Sequence, residues 1–189
     1  MSREVYILGA DPGFASFGVG VVQLLPKSER VVAINVIRTQ KSVKKLNVKA
    51  ADDNFRRSQA IAAVLHEEVK KWKPMAIAAE SMSFPRNAGS AAKVAMTWGI
   101  LSDLCHIYQL PMVQATPQEI KKTLCDNKSA TKTDIQNALE RLYSDQFSPF
   151  MRSTPRGQWE HGFDSIGAVV TCLNSDVIRM ARGMAGCEE

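Results

Sequence analysis

The sequence predicts an α/β sandwich, a mixed sheet with helices packed against it, formed as a single domain over residues 1–189. Three observations carry that prediction. The first forty residues hold three short runs rich in Val and Ile, parted by turn signals. Beyond them, apolar stripes at helical spacing alternate with short, continuously apolar segments. No internal period repeats and no tract is of low complexity.

Taken in order, Val5–Ala10 reads as a first strand and Phe17–Leu25 as a second, with Asp11-Pro12-Gly13 turning the chain between them. Val31–Thr39 makes a third after Pro26-Lys27-Ser28, and such short connections predict an antiparallel meander. Lys41, Lys44, Lys45 and Lys49 form a basic loop with no acid before Asp52; it can track a phosphate backbone or be merely solvated. Asp52 or Asp53 then caps a helix whose apolar stripe is Phe55, Ser58, Ile61, Ala62, Leu65, Val69 and Trp72, with Arg56 and Arg57 on its surface. Pro74 ends that helix, and Met75–Ala79 is a strand closing in Glu80. A helix over 90–108, a strand over 111–115, and helices near 117–124 and 131–143 follow. A polar, irregular stretch over 144–160 leads into one last helix over 160–184.

Composition narrows the function. The chain is 45% hydrophobic and 23% charged, as ordinary globular proteins are, and no apolar run is long enough for a membrane span. The N-terminus passes from Met-Ser-Arg-Glu straight into a strand with no signal pattern, so a cytoplasmic setting is expected, in a bacterium or in the host of a phage. Cys105, Cys125, Cys172 and Cys187 lie far apart without a CxxC pair and read as reduced thiols, neither zinc ligands nor a disulfide frame. The net charge of +5 mildly favours a polyanionic partner.

Three carboxylates stand where elements end. Asp11 closes the first strand, Glu80 closes the fourth, and Asp164 sits in the first turn of the last helix, three residues after His161 and on the same face. Acids converging from different elements are what hard divalent cations require, and two such ions can activate a water and stabilise a leaving oxygen. Taken singly, each has a plainer role: a turn former, a helix-dipole partner, a satisfied histidine.

Together these residues resemble a known family. Ile7-Leu8-Gly9-Ala10-Asp11-Pro12-Gly13 with Phe17-Gly18-Val19-Gly20-Val21-Val22 resembles the opening block of the RuvC Holliday-junction resolvases. Ala76-Ile77-Ala78-Ala79-Glu80 followed by Asn87-Ala88-Gly89-Ser90-Ala91-Ala92-Lys93 resembles their second block. Lys121 and Lys132 match two basic positions of the third, and His161-Gly162-Phe163-Asp164-Ser165-Ile166-Gly167-Ala168 matches the closing block. The resemblance implies an RNase H-like three-layer sandwich with a five-stranded sheet in order 3-2-1-4-5. It also implies a homodimer that nicks four-way DNA junctions symmetrically, using Mg²⁺ or in its place Mn²⁺, two ions per active site.

Under this resemblance Asp11, Glu80, Asp164 and His161 are metal ligands, His161 alternatively a base that positions the attacking water. Lys132 neutralises the scissile phosphate. Phe84, Arg86, Asn87, Lys93, Lys121 and Lys132 contact DNA. The chain departs from the family in carrying Ser83 where a wedging aromatic is usual, with Phe84 next to it, and in a long stretch Ser144–Trp159 bearing Arg152 and Arg156. Ala91, Ala95 and Gly99 form a small-residue stripe beside Val94, Trp98 and Leu101, serving the core or, as the resemblance favours, a dimer seam. Three other functions compete. A nuclease for RNA–DNA hybrids or RNA is opposed by the Asn-Ala-x-Ser-Ala block and the paired lysines. An actin-like nucleotide-binding module needs two such domains, so no nucleotide cofactor is expected. A silent junction-binding protein sits poorly with three retained acids.

Overall fold

The computed structural model describes residues 4–43, 46–82 and 87–185. Five strands, β1 (Val5–Asp11), β2 (Ser16–Leu24), β3 (Glu29–Arg38), β4 (Ala76–Glu80) and β5 (Met112–Ala115), form one sheet in the order β3-β2-β1-β4-β5. The first three are the antiparallel meander the short turns predict, and β4 and β5 join parallel to β1. Helices cover both faces, which gives the RNase H-like three-layer arrangement.

Strand alternation sorts the core into two layers. Leu8, Ala10, Ile77 and Ala79 pack with Phe14, Phe17, Ile61, Leu65, Leu101 and Leu104 beneath α1 (Ala50–Trp72) and α2 (Ala88–Tyr108). Val5, Ile7, Ala76 and Ala78 face α3 (Pro117–Cys125), α4 (Lys132–Tyr143), α5 (Ser148–Ser153), α6 (Trp159–Cys172) and α7 (Asp176–Gly183). Asp11 and Glu80 lie an even number of residues from Ile7 and Ala78, so both project on the α6 side.

Several sequence expectations are corrected. α1 starts at Ala50 after Lys49, not at an Asp cap; Asp53 sits inside it, buried, accepting from the Ser42 amide at 3.0 Å and hydroxyl at 2.7 Å. The buried line of α1 is Asp53, Arg57, Ile61, Leu65 and Val69, four residues apart, while Phe55 is exposed. Arg57 is therefore no surface charge. It is 4% exposed, with its guanidinium 4.4 Å from the Phe14 ring centre and its Nε donating to Thr39 Oγ1 at 3.0 Å. A cation is tolerated there because stacking and hydrogen bonds replace its water.

The stretch over 144–160 is not irregular. Two short 3₁₀ turns, Ser144–Phe147 and Arg156–Gln158, flank α5. Phe147 stacks on Phe163 at 4.4 Å and Phe150 meets the same ring edge-on. The last helix is in fact two, because the chain turns after Cys172 and Ser175 caps a new start, its hydroxyl accepting from Ile178 N. Leu101, counted with the small-residue stripe, is fully buried in its own core, whereas Ala95 and Gly99 are exposed.

Candidate active site

Backbone register brings the first two acids together. Ala10 pairs with Ala79 across the parallel β1–β4 ladder, so the next residues, Asp11 and Glu80, leave the sheet side by side. α6 supplies the third because it lies unusually close to the strands. A Cβ on Gly18 would fall 1.9 Å from the His161 carbonyl oxygen, and one on Gly9 would fall 2.2 Å from that of Ser165. Only glycine permits this approach, and it seats His161 and Asp164 over the ends of β1 and β2.

The geometry is a cluster of acids with a histidine and a lysine set into it. His161 Nδ1 lies 2.7 Å from Asp11 Oδ2. Lys132, the first residue of α4, donates to Asp164 Oδ2. Its position is fixed by the helix start: the Thr131 hydroxyl accepts from Asp134 N, and Asp134 accepts from Thr131 N at 2.8 Å, a reciprocal cap. Asp164 itself is only 4% exposed.

Electrostatics confirms the crowding. Burial, then the charges of Asp11 and Asp164, push the Glu80 carboxyl up to about 7, against the opposing pull of Lys132 and His161. Burial raises Asp164 too, although Lys132 works the other way. The hydrogen bond to Asp11 holds His161 above the ordinary imidazole value despite burial. Burial disfavours the Lys132 charge, but Asp164, Glu80 and Asp11 outweigh it and raise its pKa. Among the described residues, no three His, Cys, Asp or Glu side chains stand close enough to ligate one ion as they are placed. Asp11 and Asp164 are instead turned onto His161 and Lys132.

A cavity of about 130 Å³ lined by Asp11, Gly13, Glu80, Val94 and Trp98 opens on one side of the acids. Another of about 280 Å³, lined by Lys132, Gln136, Arg156, Trp159, Glu160 and Asp164, opens on the other.

The remaining expected DNA contacts are scattered. Asn87 caps α2, its Oδ1 accepting from Ser90 N at 3.1 Å. Lys93 borders a separate depression with Lys41, Asn47 and Asp53, and Lys121 lies on α3, half-buried. Phe84 and Arg86, with Ser83, Lys44, Lys45 and Cys187, fall outside the described residues. Cys105, Cys125 and Cys172 are free thiols.

Two supporting residues escaped the sequence reading. Thr97, fully buried on α2, donates from Oγ1 to the Pro12 carbonyl at 2.8 Å and so braces the turn after Asp11. Nothing in sequence marks it. Arg57 could have been found, since it continues the four-residue spacing of Ile61, Leu65 and Val69.

Fold and sheet order define an RNase H-like protein. Within that class, the profile of the family described as crossover junction endodeoxyribonuclease RuvC matches residues 7–150, and the chain belongs to this family. The matched segment includes Asp11, Glu80, Lys121 and Lys132 and stops short of His161 and Asp164. The crossover junction endodeoxyribonuclease RuvC of Pseudothermotoga lettingae is 31% identical over 136 residues, covering 72% of this chain and 78% of that one. That of Prochlorococcus marinus strain MIT 9303 is 30% identical over 135 residues, covering 71% and 81%. The solved RuvC of T. thermophilus, in complex with Holliday junction substrate, has the same fold with a TM-score of 0.70 at 21% identity, over 96% of this chain and 98% of that one. No described helix is long and apolar enough to cross a membrane.

Proposed function

We propose that this chain resolves four-way DNA junctions by symmetric, metal-dependent hydrolysis of two phosphodiester bonds, acting in the cytoplasm as a homodimer. One nuclease domain spanning residues 1–189 would carry the whole activity. The observation that carries this reading is the convergence of Asp11, Glu80 and Asp164, with the Glu80 carboxyl pushed up to about 7 by burial and by the charges of the other two. Three carboxylates set against one lysine and one histidine can take added cations.

The donor set fits divalent ions of the hard kind. Three carboxylates supply oxygen ligands, His161 can supply an imidazole nitrogen, and Mg²⁺, or Mn²⁺ in its place, takes such donors together with water and phosphate oxygens. Two bound ions would supply an activated water and neutralise the leaving oxygen. His161 would act as a ligand or hold the attacking water's proton, a reading supported by its contact with Asp11. Lys132 would leave Asp164 and pair with the phosphate as negative charge develops there. Phe84, Arg86, Asn87, Lys93 and Lys121 are assigned to the DNA-binding surface, Asn87 through its backbone neighbours because its side chain caps α2.

The test is nicking of a mobile and a fixed four-way junction, with and without Mg²⁺, mapped at nucleotide resolution beside an RNA–DNA hybrid. Paired nicks at symmetric positions, dependent on Mg²⁺ and absent from the hybrid, are expected. Preferential cleavage of the hybrid would overturn the substrate assignment.

A further inference from the structure

We infer that Arg156 forms a second phosphate subsite beside the acids, holding the backbone phosphate that flanks the scissile one. The inference rests on the junction-cleaving reading of the same site.

The cavity of about 280 Å³ beside Asp164 is shared by the active site and by the segment between α4 and α6. Lys132, Asp164, Arg156 and Gly157 all line it. Its two carboxylates are already engaged: Asp164 accepts from Lys132, and Glu160 lies 3.8 Å from His161. Arg156 is exposed at the rim, and its guanidinium has no acidic partner among the described residues. An exposed guanidinium and an active-site lysine that line the same small cavity suit an anion held between them.

The segment that carries the arginine is anchored on both sides of it. Phe147 and Phe150 pack on Phe163 and anchor the segment from below. Gln146 Oε1 accepts from Val31 N at 2.6 Å, tying it to β3. On the far side of Arg156, Gln158 Oε1 accepts from the Ser16 hydroxyl at 2.7 Å, and Trp159 Nε1 donates to the Thr154 carbonyl at 2.8 Å. Ser16 begins β2, two residues before Gly18, the register partner of Asp11. Arg156 thus sits between two clamps, one of them reaching the strand beside the catalytic turn. It also lies beyond the residues matched by the family profile, as His161 and Asp164 do.

The test measures junction affinity in chelator, so that no cutting intervenes, for wild type, R156A and R156K. Fixed junctions carry one neutral methylphosphonate at each position around the cut in turn. Wild type is expected to lose affinity at a flanking position where R156A loses none, while both respond alike elsewhere. R156K should regain part of the response, and the log–log salt slope of R156A should be shallower by about one. Wild type that binds the junction while R156A matches it at every linkage would overturn the subsite alone. Wild type with no preference for junctions over linear duplex would overturn the reading of function on which it rests.

Discussion

His161 and Asp11, 150 positions apart in sequence, meet through a 2.7 Å contact between Nδ1 and Oδ2. The pair exists because Gly18 lets the backbone of α6 rest on β2. Replacing Gly18 with Ala would put a methyl 1.9 Å from the His161 carbonyl, a backbone atom that cannot swing aside. Gly18→Ala should therefore lower the urea midpoint, at about 1–3 kcal/mol, with little change in m. It should also reduce cleavage further than junction binding. An unaltered midpoint would mean that α6 does not sit this close to the strand.

Replacing Asp11, Glu80 or Asp164 by the amide should abolish cleavage and leave junction binding largely intact. The amide keeps the volume and loses the charge that a divalent ion needs, while the phosphate-contacting surface is untouched. Single-turnover rates above a tenth of wild type in any of the three would remove that residue from the site. Lys132→Ala should likewise cost far more in cleavage rate than in affinity, since one phosphate contact among many carries little of the binding. Equal losses in both would make Lys132 a binding residue only.

Acid crowding also sets a pH dependence of stability in the metal-free protein. Glu80 titrates near 7 when folded against an ordinary value of 4.5, so between these the folded state holds the extra proton. Stability from this group is fully present below about 4.5 and is lost as the pH rises through about 7, by an amount on the order of 3 kcal/mol. Asp164 and His161 are raised as well, and their contributions run in the same direction. Denaturation in chelator should therefore show stability declining from pH 5 to pH 8, with E80Q flattening much of that slope. Added Mg²⁺ should restore stability chiefly at the alkaline end. A profile rising with pH over this window would contradict the crowding of Glu80 by Asp11 and Asp164.

Much of this was legible in sequence because strand alternation and strand ends are local signals. The ends of the first and fourth strands, and with them Asp11 and Glu80, could be read from local pattern, and the five-strand order followed from the resemblance of four blocks. That the two acids share a face depends on the β1–β4 register. What was not legible depends on tertiary contact. Arg57 looks like a helix-surface charge and Asp53 like a helix cap until Phe14, Thr39 and Ser42 close around them. The stretch over 144–160 looks polar because two of its three aromatics, Phe147 and Phe150, reveal their role only once Phe163 lies beneath them. The break after Cys172 was missed because Leu173 and Val177 continue the helical apolar pattern across it. Thr97 has no sequence signal, since its partner is a backbone carbonyl 85 positions away.

Assembly supplies the last prediction. A four-way junction offers two equivalent scissile phosphates about a two-fold axis, and a C₂ homodimer presents two equivalent active sites to match. On α2, Thr97, Leu101 and Leu104 are buried in the chain's own core, which leaves Ala95 and Gly99 facing outward. A Cβ at Gly99 would meet no atom within 4 Å, so a side chain there is free of steric cost in the isolated chain. Within a helix it would even relieve the conformational cost of glycine, about 1 kcal/mol. Gly99→Arg is therefore a clean probe: it should leave the fold as stable as wild type or slightly more so, yet drive a long charged side chain into any seam formed by this stripe. Wild type is expected to sediment at twice the 20.8 kDa of the chain, and Gly99→Arg as a monomer that nicks the two strands independently and slowly. Sedimentation equilibrium showing wild type active and monomeric at micromolar concentration would refute both the seam and the symmetry argument behind it.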